Sequence, residues 1–207
     1  MPDSPLSTLS EAQIDALREV GNIGAGHAAT ALSQLIKKKI MISVPKVNVI
    51  ELKDVPNLIG DSSSIVAGII MNVLGDVTAK ILLLLTRDSA LSLADMLLQK
   101  KVGSSKVLSE VGNSAIKETG NILSGAYMNA LNEFLGLMLL PSVPNLVFDM
   151  ASAILSSISE GFEGMSNKIL SIETQFSEAN AQEIKGYLLL IPDIASVKVL
   201  LQAIKVG

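Results

Sequence analysis

Two segments of the chain carry similar polar side chains at the same spacing. The first set is Asp15, Glu19 and Asn22, and the second, 99 positions later, is Ser114, Glu118 and Asn121. On a helix, positions i, i+4 and i+7 fall within about 60° of one another, so each set would form one polar face. Each face combines an acid or hydroxyl, a carboxylate and an amide. An amide offers both donor and acceptor groups but is not a strong base, so its chemistry would be positioning. We call the two sets the first site and the second site.

Both sites lie in a longer repeated frame. Residues 9–36 and 108–135 align without a gap, and 11 of the 28 aligned positions are identical. A proline follows each asparagine at the same interval, as Pro45 and Pro144. A single Glu/Asn pair is usually a solvated surface. Here neighbouring surface positions have diverged while Glu, Gly and Asn are kept in both copies, which favours a functional role.

The repeated frames predict two long helices that position the polar faces. Ser7 or Ser10 is expected to cap the first helix, since residues 10–13 resemble a capping box, and we expect this helix to run to about Lys38. The second helix is expected over residues 106–139. Each helix has an apolar side that should face the core, formed by Leu17, Val20 and Gly24 in the first and by Ile116, Thr119 and Leu123 in the second. We interpret Gly21 and Gly26 as close-packing positions, because a glycine inside a helix is otherwise costly.

The segments after each helix predict a repeated order of strands. In the first half we expect extended structure over residues 40–51, a turn or short helix over 54–60, a hairpin of 64–73 and 77–86, and a helix over 87–99. In the second half we expect extended structure over 142–148, a helix over 149–162, strands over 168–176 and 182–191, and a helix from Asp193, which we align with Asp88. The fold predicted is α+β and internally duplicated, with a pseudo-two-fold axis and a mostly antiparallel central sheet flanked by long helices. We expect residues 1–207 to form one domain of two repeats, about 7–102 and 106–206.

Composition narrows the function classes. The chain is 49% hydrophobic with a net charge of −4, which argues against a nucleic-acid partner because such a partner requires a basic surface. The apolar runs are far shorter than the roughly 18 residues that a membrane span requires, so no membrane insertion is expected. No signal peptide is recognised, and the absence of cysteine is consistent with a reducing cytoplasm. With one histidine and no cysteine, no metal-ligand cluster is evident. We therefore expect no cofactor of the protein's own.

The repeated pattern resembles the signature of the CheC/CheX/FliY family of chemotaxis phosphatases. The residues that carry this resemblance are the two sites with their prolines, Pro45 and Pro144, and they cover both halves. The resemblance implies hydrolysis of the aspartyl phosphate on the response regulator CheY. Asn22 and Asn121 would each hold a water in line with phosphorus, and Glu19 and Glu118 would each pair with a lysine of the partner. Mg²⁺ would then be supplied by the phosphorylated partner.

The remaining motif residues receive supporting roles. Asp15 and Ser114 would support the helix or orient the glutamate, and the two prolines would shape the entry to a strand. The glycine-rich stretch from Gly21 follows an apparent helix and lacks a Lys-Ser/Thr pair, so nucleotide binding is not expected.

A non-catalytic adaptor of the chemotaxis or flagellar switch machinery is the alternative function. The family resemblance also implies binding of CheD, a receptor deamidase. We assign that contact to the small-residue helix predicted from Asp149, with Ser152 and Ser156 on it. A surface helix packed only on its own sheet remains an open alternative for this segment. We expect a cytoplasmic, monomeric protein.

Overall fold

The computed structural model describes residues 9–160, 164–178 and 184–204. The α-helices in these ranges are α1 (Glu11–Ile36), α2 (Arg87–Leu97), α3 (Glu110–Leu135), α4 (Ala151–Glu160) and α5 (Ile194–Ala203). The strands are β1 (Ile40–Glu51), β2 (Ile65–Gly75), β3 (Ala79–Thr86), β4 (Leu139–Pro141), β5 (Asn145–Met150), β6 (Lys168–Glu178) and β7 (Ile184–Pro192). A 3-10 helix covers Leu52–Leu58.

All seven strands belong to one antiparallel sheet. Its order is β1-β6-β7-β3-β2-β4. The strand β5 also pairs with β2, at residues 65–70, whereas the short β4 pairs with residues 73–75 of the same strand. Reading this order from either end gives the same sequence of equivalent strands, so a pseudo-two-fold axis passes between β3 and β7. The edge strand of each half pairs with the other half: β1 pairs with β6, and β4 and β5 pair with β2. The predicted fold class is therefore confirmed. The bounds proposed for the two repeats stay a prediction.

The helices form layers on the two faces of the sheet. Buried side chains of α1, α2, α3 and α5 share one core with the first face, and α4 and the 3-10 helix cover part of the second face. The helices α1 and α3 pack closely at Gly24, where an added Cβ would lie 2.8 Å from Tyr127 Cδ1. Apart from its chain neighbours and the backbone of its own helix, no heavy atom of the described residues lies within 4 Å of a Cβ added at Gly26, so the prediction of close packing at that glycine is wrong. Gly26 lies on the exposed side of α1.

The first long helix follows its sequence signals. Ser10 and Gln13 form the predicted capping box, with Ser10 N donating to Gln13 Oε1 and Gln13 N donating to Ser10 Oγ. Ser7, the other expected cap, lies outside the described residues. The second is shorter than predicted at both ends. Ser109 caps its N-terminus, and Gly136, with a φ of 66°, ends it in the left-handed conformation that favours glycine.

Three further details differ from the sequence predictions. Asp149 lies in β5, and α4 begins two residues later, because this segment pairs with β2. Of the extended segment predicted over 142–148, only 145–148 lie in a strand, β5, and the short strand β4 (Leu139–Pro141) precedes the segment. Asp193 caps α5, whereas Asp88, with which it is aligned, lies inside α2, whose N-cap is Thr86. Phe162 and Gln182, where two predicted elements end or begin, lie outside the described residues.

Candidate functional site

The first site lies on the exposed side of α1. Asp15, Glu19 and Asn22 are all exposed, whereas Leu17 and Val20 face the core. Asp15 Oδ1 forms an ion pair with Arg18 Nη2 at 3.1 Å. Asp15 therefore interacts within its own helix, and its supporting role stays a prediction. For Glu19 the described residues provide no ion pair or hydrogen bond, which leaves its carboxylate available to a partner.

Asn22 bonds to the backbone of its own chain. Its Oδ1 accepts from Val44 N at 2.9 Å, and its Nδ2 lies 3.3 Å from Val44 O and 3.1 Å from Arg18 O. The side chain thus joins α1 to β1 through both peptide groups of Val44. Asn22 is the one member of the first site that contacts a strand.

The second site lies at the equivalent position on α3, and all three of its members are exposed. Ser114 Oγ donates to Glu110 O at 3.1 Å, which is again a contact within the helix. Glu118 and Asn121 make no hydrogen bond or ion pair with any residue in the described ranges. Both side chains are available to a partner in this structure.

Each proline lies at a bulge in an edge strand. In the pairing of β1 with β6, Ser43 opposes Gln175 and Lys46 opposes Glu173, so Val44 and Pro45 together oppose one residue. Residues 142–144 separate β4 from β5 and add one residue to that edge in the same way. Because proline lacks an N–H group, it suits a bulge where a ladder hydrogen bond is missing. Pro144 immediately precedes β5, whereas Pro45 lies inside β1.

The two sites lie near opposite ends of the sheet. Asn22 contacts β1, the last strand at one end, and α3 packs over β2, β4 and β5 at the other end. At Gly120, beside the second site, an added Cβ would lie 2.8 Å from Ile69 Cγ2. This close approach seats α3 directly on β2.

The surface assigned to a second partner is formed by two elements. Asp149 is exposed on β5, its Oδ1 accepting from Met150 N at 2.7 Å, and Ser152 and Ser156 lie on α4. The apolar side of α4, with Ala151, Ile154 and Ile158, packs against the sheet. One side of α4 therefore packs on the sheet of its own chain, as the alternative interpretation of this segment predicts. The other side of α4 is exposed.

The valines before the two prolines were missed in the sequence. The tripeptide Ser-Val-Pro occurs at 43–45 and again at 142–144, and this repeat was the available signal. The structural role of this tripeptide depends on the strand bulge, and the sequence alone does not reveal a bulge.

The described ranges contain neither a metal-ligand cluster nor a membrane-spanning helix. There, no three or more Asp, Glu or His side chains come together as a metal site. Nor does any helix in these ranges have the length and apolar character needed to cross a bilayer.

Comparisons with known proteins place this architecture. The model of the CheC-like family matches residues 13–49 and 111–148, which contain both sites and both prolines. The CheY-P phosphatase CheC of Bacillus subtilis (strain 168) is 32% identical over 199 residues, covering 95% of each chain. The flagellar motor switch phosphatase FliY of the same organism is 29% identical over 133 residues, covering 63% of this chain and 34% of FliY.

A solved structure shows the same fold. The crystal structure of Thermotoga maritima FliY aligns with a TM-score of 0.74 at 22% identity, covering 95% of this chain and 98% of that one. The family match at both sites and the 32% identity along nearly the whole chain lead to one conclusion. The chain belongs to the CheC-like family.

Proposed function

We propose that this protein is a phosphatase that hydrolyses the aspartyl phosphate of the response regulator CheY. The observation that carries the proposal is the exposed Glu/Asn pair on each of α1 and α3, within the two segments that match the family. The name of the Bacillus subtilis relative, a CheY-P phosphatase, supports the same substrate.

The chemistry requires little of this chain beyond positioning. A water oxygen attacks phosphorus, the bond between phosphorus and the aspartyl oxygen of the partner breaks, and inorganic phosphate leaves. Asn22 or Asn121 would orient this water through its neutral amide, which adds no repulsion toward the phosphoryl oxygens. Glu19 or Glu118, one turn earlier, would pair with a lysine of the partner and fix the register of the two proteins. Mg²⁺, bound by the phosphorylated partner, would neutralise the charge on the phosphoryl group.

Binding of CheD is a second proposed property. The exposed side of α4 and the adjacent Asp149 offer a surface that the intramolecular packing does not use. Reversing the charge at Asp149 to lysine is expected to weaken CheD binding in a titration. An unchanged affinity would remove this residue from the proposed interface.

The test of the phosphatase is the decay rate of phosphorylated CheY with four proteins: wild type, Asn22→Ala, Asn121→Ala and the double variant. Each single variant should keep part of the activity, because the other site is intact. The double variant should fall to the decay rate of CheY alone. Asn57→Ala is the matched control, since Asn57 is an exposed amide on the 3-10 helix, which packs on the face of the sheet opposite to α1 and α3.

Circular dichroism on each variant separates loss of chemistry from loss of fold. A folded double variant with wild-type activity would contradict the water-positioning role. An inactive wild type, tested with and without CheD, would instead favour a non-catalytic adaptor in the chemotaxis or flagellar switch machinery.

A further inference from the structure

The repeated Ser-Val-Pro segments adopt different arrangements at the two sites. Val44 is 2% exposed, and its side chain lies under α1, 3.4 Å from the position of a Cβ added at Gly21. Val143, its counterpart, is 87% exposed. The same three residue types therefore form a closed bulge beside the first site and an open bulge beside the second.

The hydrogen bonds of Asn22 reduce what its amide can offer to water. A carboxamide has two N–H donors and two acceptor lone pairs. Arg18 O and Val44 O occupy the donors, and Val44 N occupies one lone pair. One lone pair is left. These bonds also hold the side chain against the bulge of its own strand, whereas the proposed reaction requires an amide that reaches into a partner.

At the second site, the bulge forms its hydrogen bonds with a neighbouring strand and not with the site asparagine. Ser142 N donates to Asn72 O at 2.8 Å, and Ser142 Oγ accepts from Asn72 N at 3.0 Å. The bulge is thus bound to β2 through Ser142 and makes no use of Asn121. All four hydrogen-bonding positions of the Asn121 amide stay free within the described residues.

We propose that the peptide groups of Val44 hold Asn22 in an inactive position, so that the second site carries most of the hydrolysis by the free protein. The first site becomes active when the bulge at Val44 opens and releases the amide. This inference rests on the proposed phosphatase function and adds an intramolecular control to one of its two sites.

The test compares proteins with one intact site under single-turnover conditions with phosphorylated CheY. Asn22→Ala leaves only the second site, and Asn121→Ala leaves only the first. We expect the protein with only the second site to act at least tenfold faster. Equal rates, or a faster first site, would overturn the proposal, since the contact with Val44 would then be neutral or helpful.

A gain of activity provides the sharper test. In the Asn121→Ala background, Val44→Ala removes the buried methyl groups that hold the bulge closed, and we expect the rate to rise at least threefold. The matched change, Val143→Ala in the Asn22→Ala background, should produce no rise because that valine is already exposed. Val44→Thr keeps the shape and disfavours burial, so it replaces Val44→Ala if that variant melts early. A folded Val44 variant without a gain would contradict the proposal.

These outcomes are distinguishable from failure of the phosphatase itself. If the double variant Asn22→Ala/Asn121→Ala keeps the wild-type rate, the proposed function of both amides is wrong. If the double variant is inactive while the two single-site proteins act equally fast, the phosphatase stands and only the control by Val44 fails.

Discussion

Asp95 illustrates how one buried side chain organises the junction between the repeats. It is 1% exposed on α2, and its carboxylate accepts hydrogen bonds from the backbone N–H groups of Ser104 and Ser105 at 2.9 and 3.0 Å. The Ser105 hydroxyl adds a bond of 2.6 Å. Burial alone would raise the pKa of Asp95, but the bonds from Ser105 and Ser104 outweigh it and lower the pKa below its ordinary value. The folded protein therefore stabilises the charged carboxylate of Asp95.

This shift predicts a pH-dependent contribution to stability. Because the pKa is lower in the folded protein than the unfolded value of about 3.9, the contribution is present above that pH and is lost as the pH falls through the folded pKa. Asp95→Asn should lower the free energy of unfolding by about 2 kcal/mol at pH 7. The substitution replaces one buried acceptor oxygen with an NH2 group, which would face the donor groups of Ser104 and Ser105. Urea unfolding at pH 7 and at pH 3 measures the difference, which should shrink at the lower pH.

Asp88→Asn is the control for this prediction. Asp88 lies on the same helix with a 92% exposed side chain, so its replacement should change stability by little at either pH. A cost for Asp95→Asn that stays constant from pH 7 to pH 3 would show that the charge itself is not what matters.

At the scale of elements, two glycines of α1 lie in opposite environments: Gly24 is crowded by α3, and Gly26 has open space around it. A Cβ at Gly24 would lie 2.8 Å from Tyr127 Cδ1 and 3.0 Å from Tyr127 Cα, so Gly24→Ala would force α1 and α3 apart. We expect a loss of about 1–3 kcal/mol, the usual cost of overpacking. Gly26→Ala, in the same helix with open space around it, should stabilise by about 1 kcal/mol because alanine favours the helix.

Chemical denaturation of the two glycine variants measures both effects. Their signs should be opposite although the substitution is the same. A stabilising Gly24→Ala would mean that the contact between the helices yields without cost.

At the scale of the whole molecule, the exchange of edge strands makes the repeats interdependent. Apart from its bulge, β1 pairs along its whole length with a strand of the second half, and β4 and β5 pair with a strand of the first. We expect residues 1–102 or 103–207 alone to lack a stable tertiary structure, because each fragment loses the partner of its edge strand. Co-expression should restore a complex of the two fragments.

Circular dichroism and size-exclusion chromatography of the separate and co-expressed fragments test this dependence. The intact chain should also unfold in one cooperative transition. A fragment that folds alone as a monomer would show that pairing between the halves is dispensable.

The sequence by itself determined much of the local structure and identified the candidate residues of the two sites. Hydrophobic periodicity and capping residues are local signals, so the bounds of β1 and the start of α1 followed from neighbouring residues. The duplication supplied a second copy of each pattern, and this repetition indicated Glu19, Asn22, Glu118 and Asn121 as candidates from the sequence alone. All four lie exposed on two equivalent helices, and their catalytic roles stay a prediction.

Only the tertiary structure decided how the two copies are combined and how they differ. Strand pairing joins residues distant in the chain, so the placement of β1 beside β6, and not within its own repeat, left no local signal. The pairing of β5 with β2 likewise placed Asp149 in a strand. Nearly identical Ser-Val-Pro segments hold one asparagine and leave the other free, because the hydrogen bonds at each bulge depend on which strand and helix surround it.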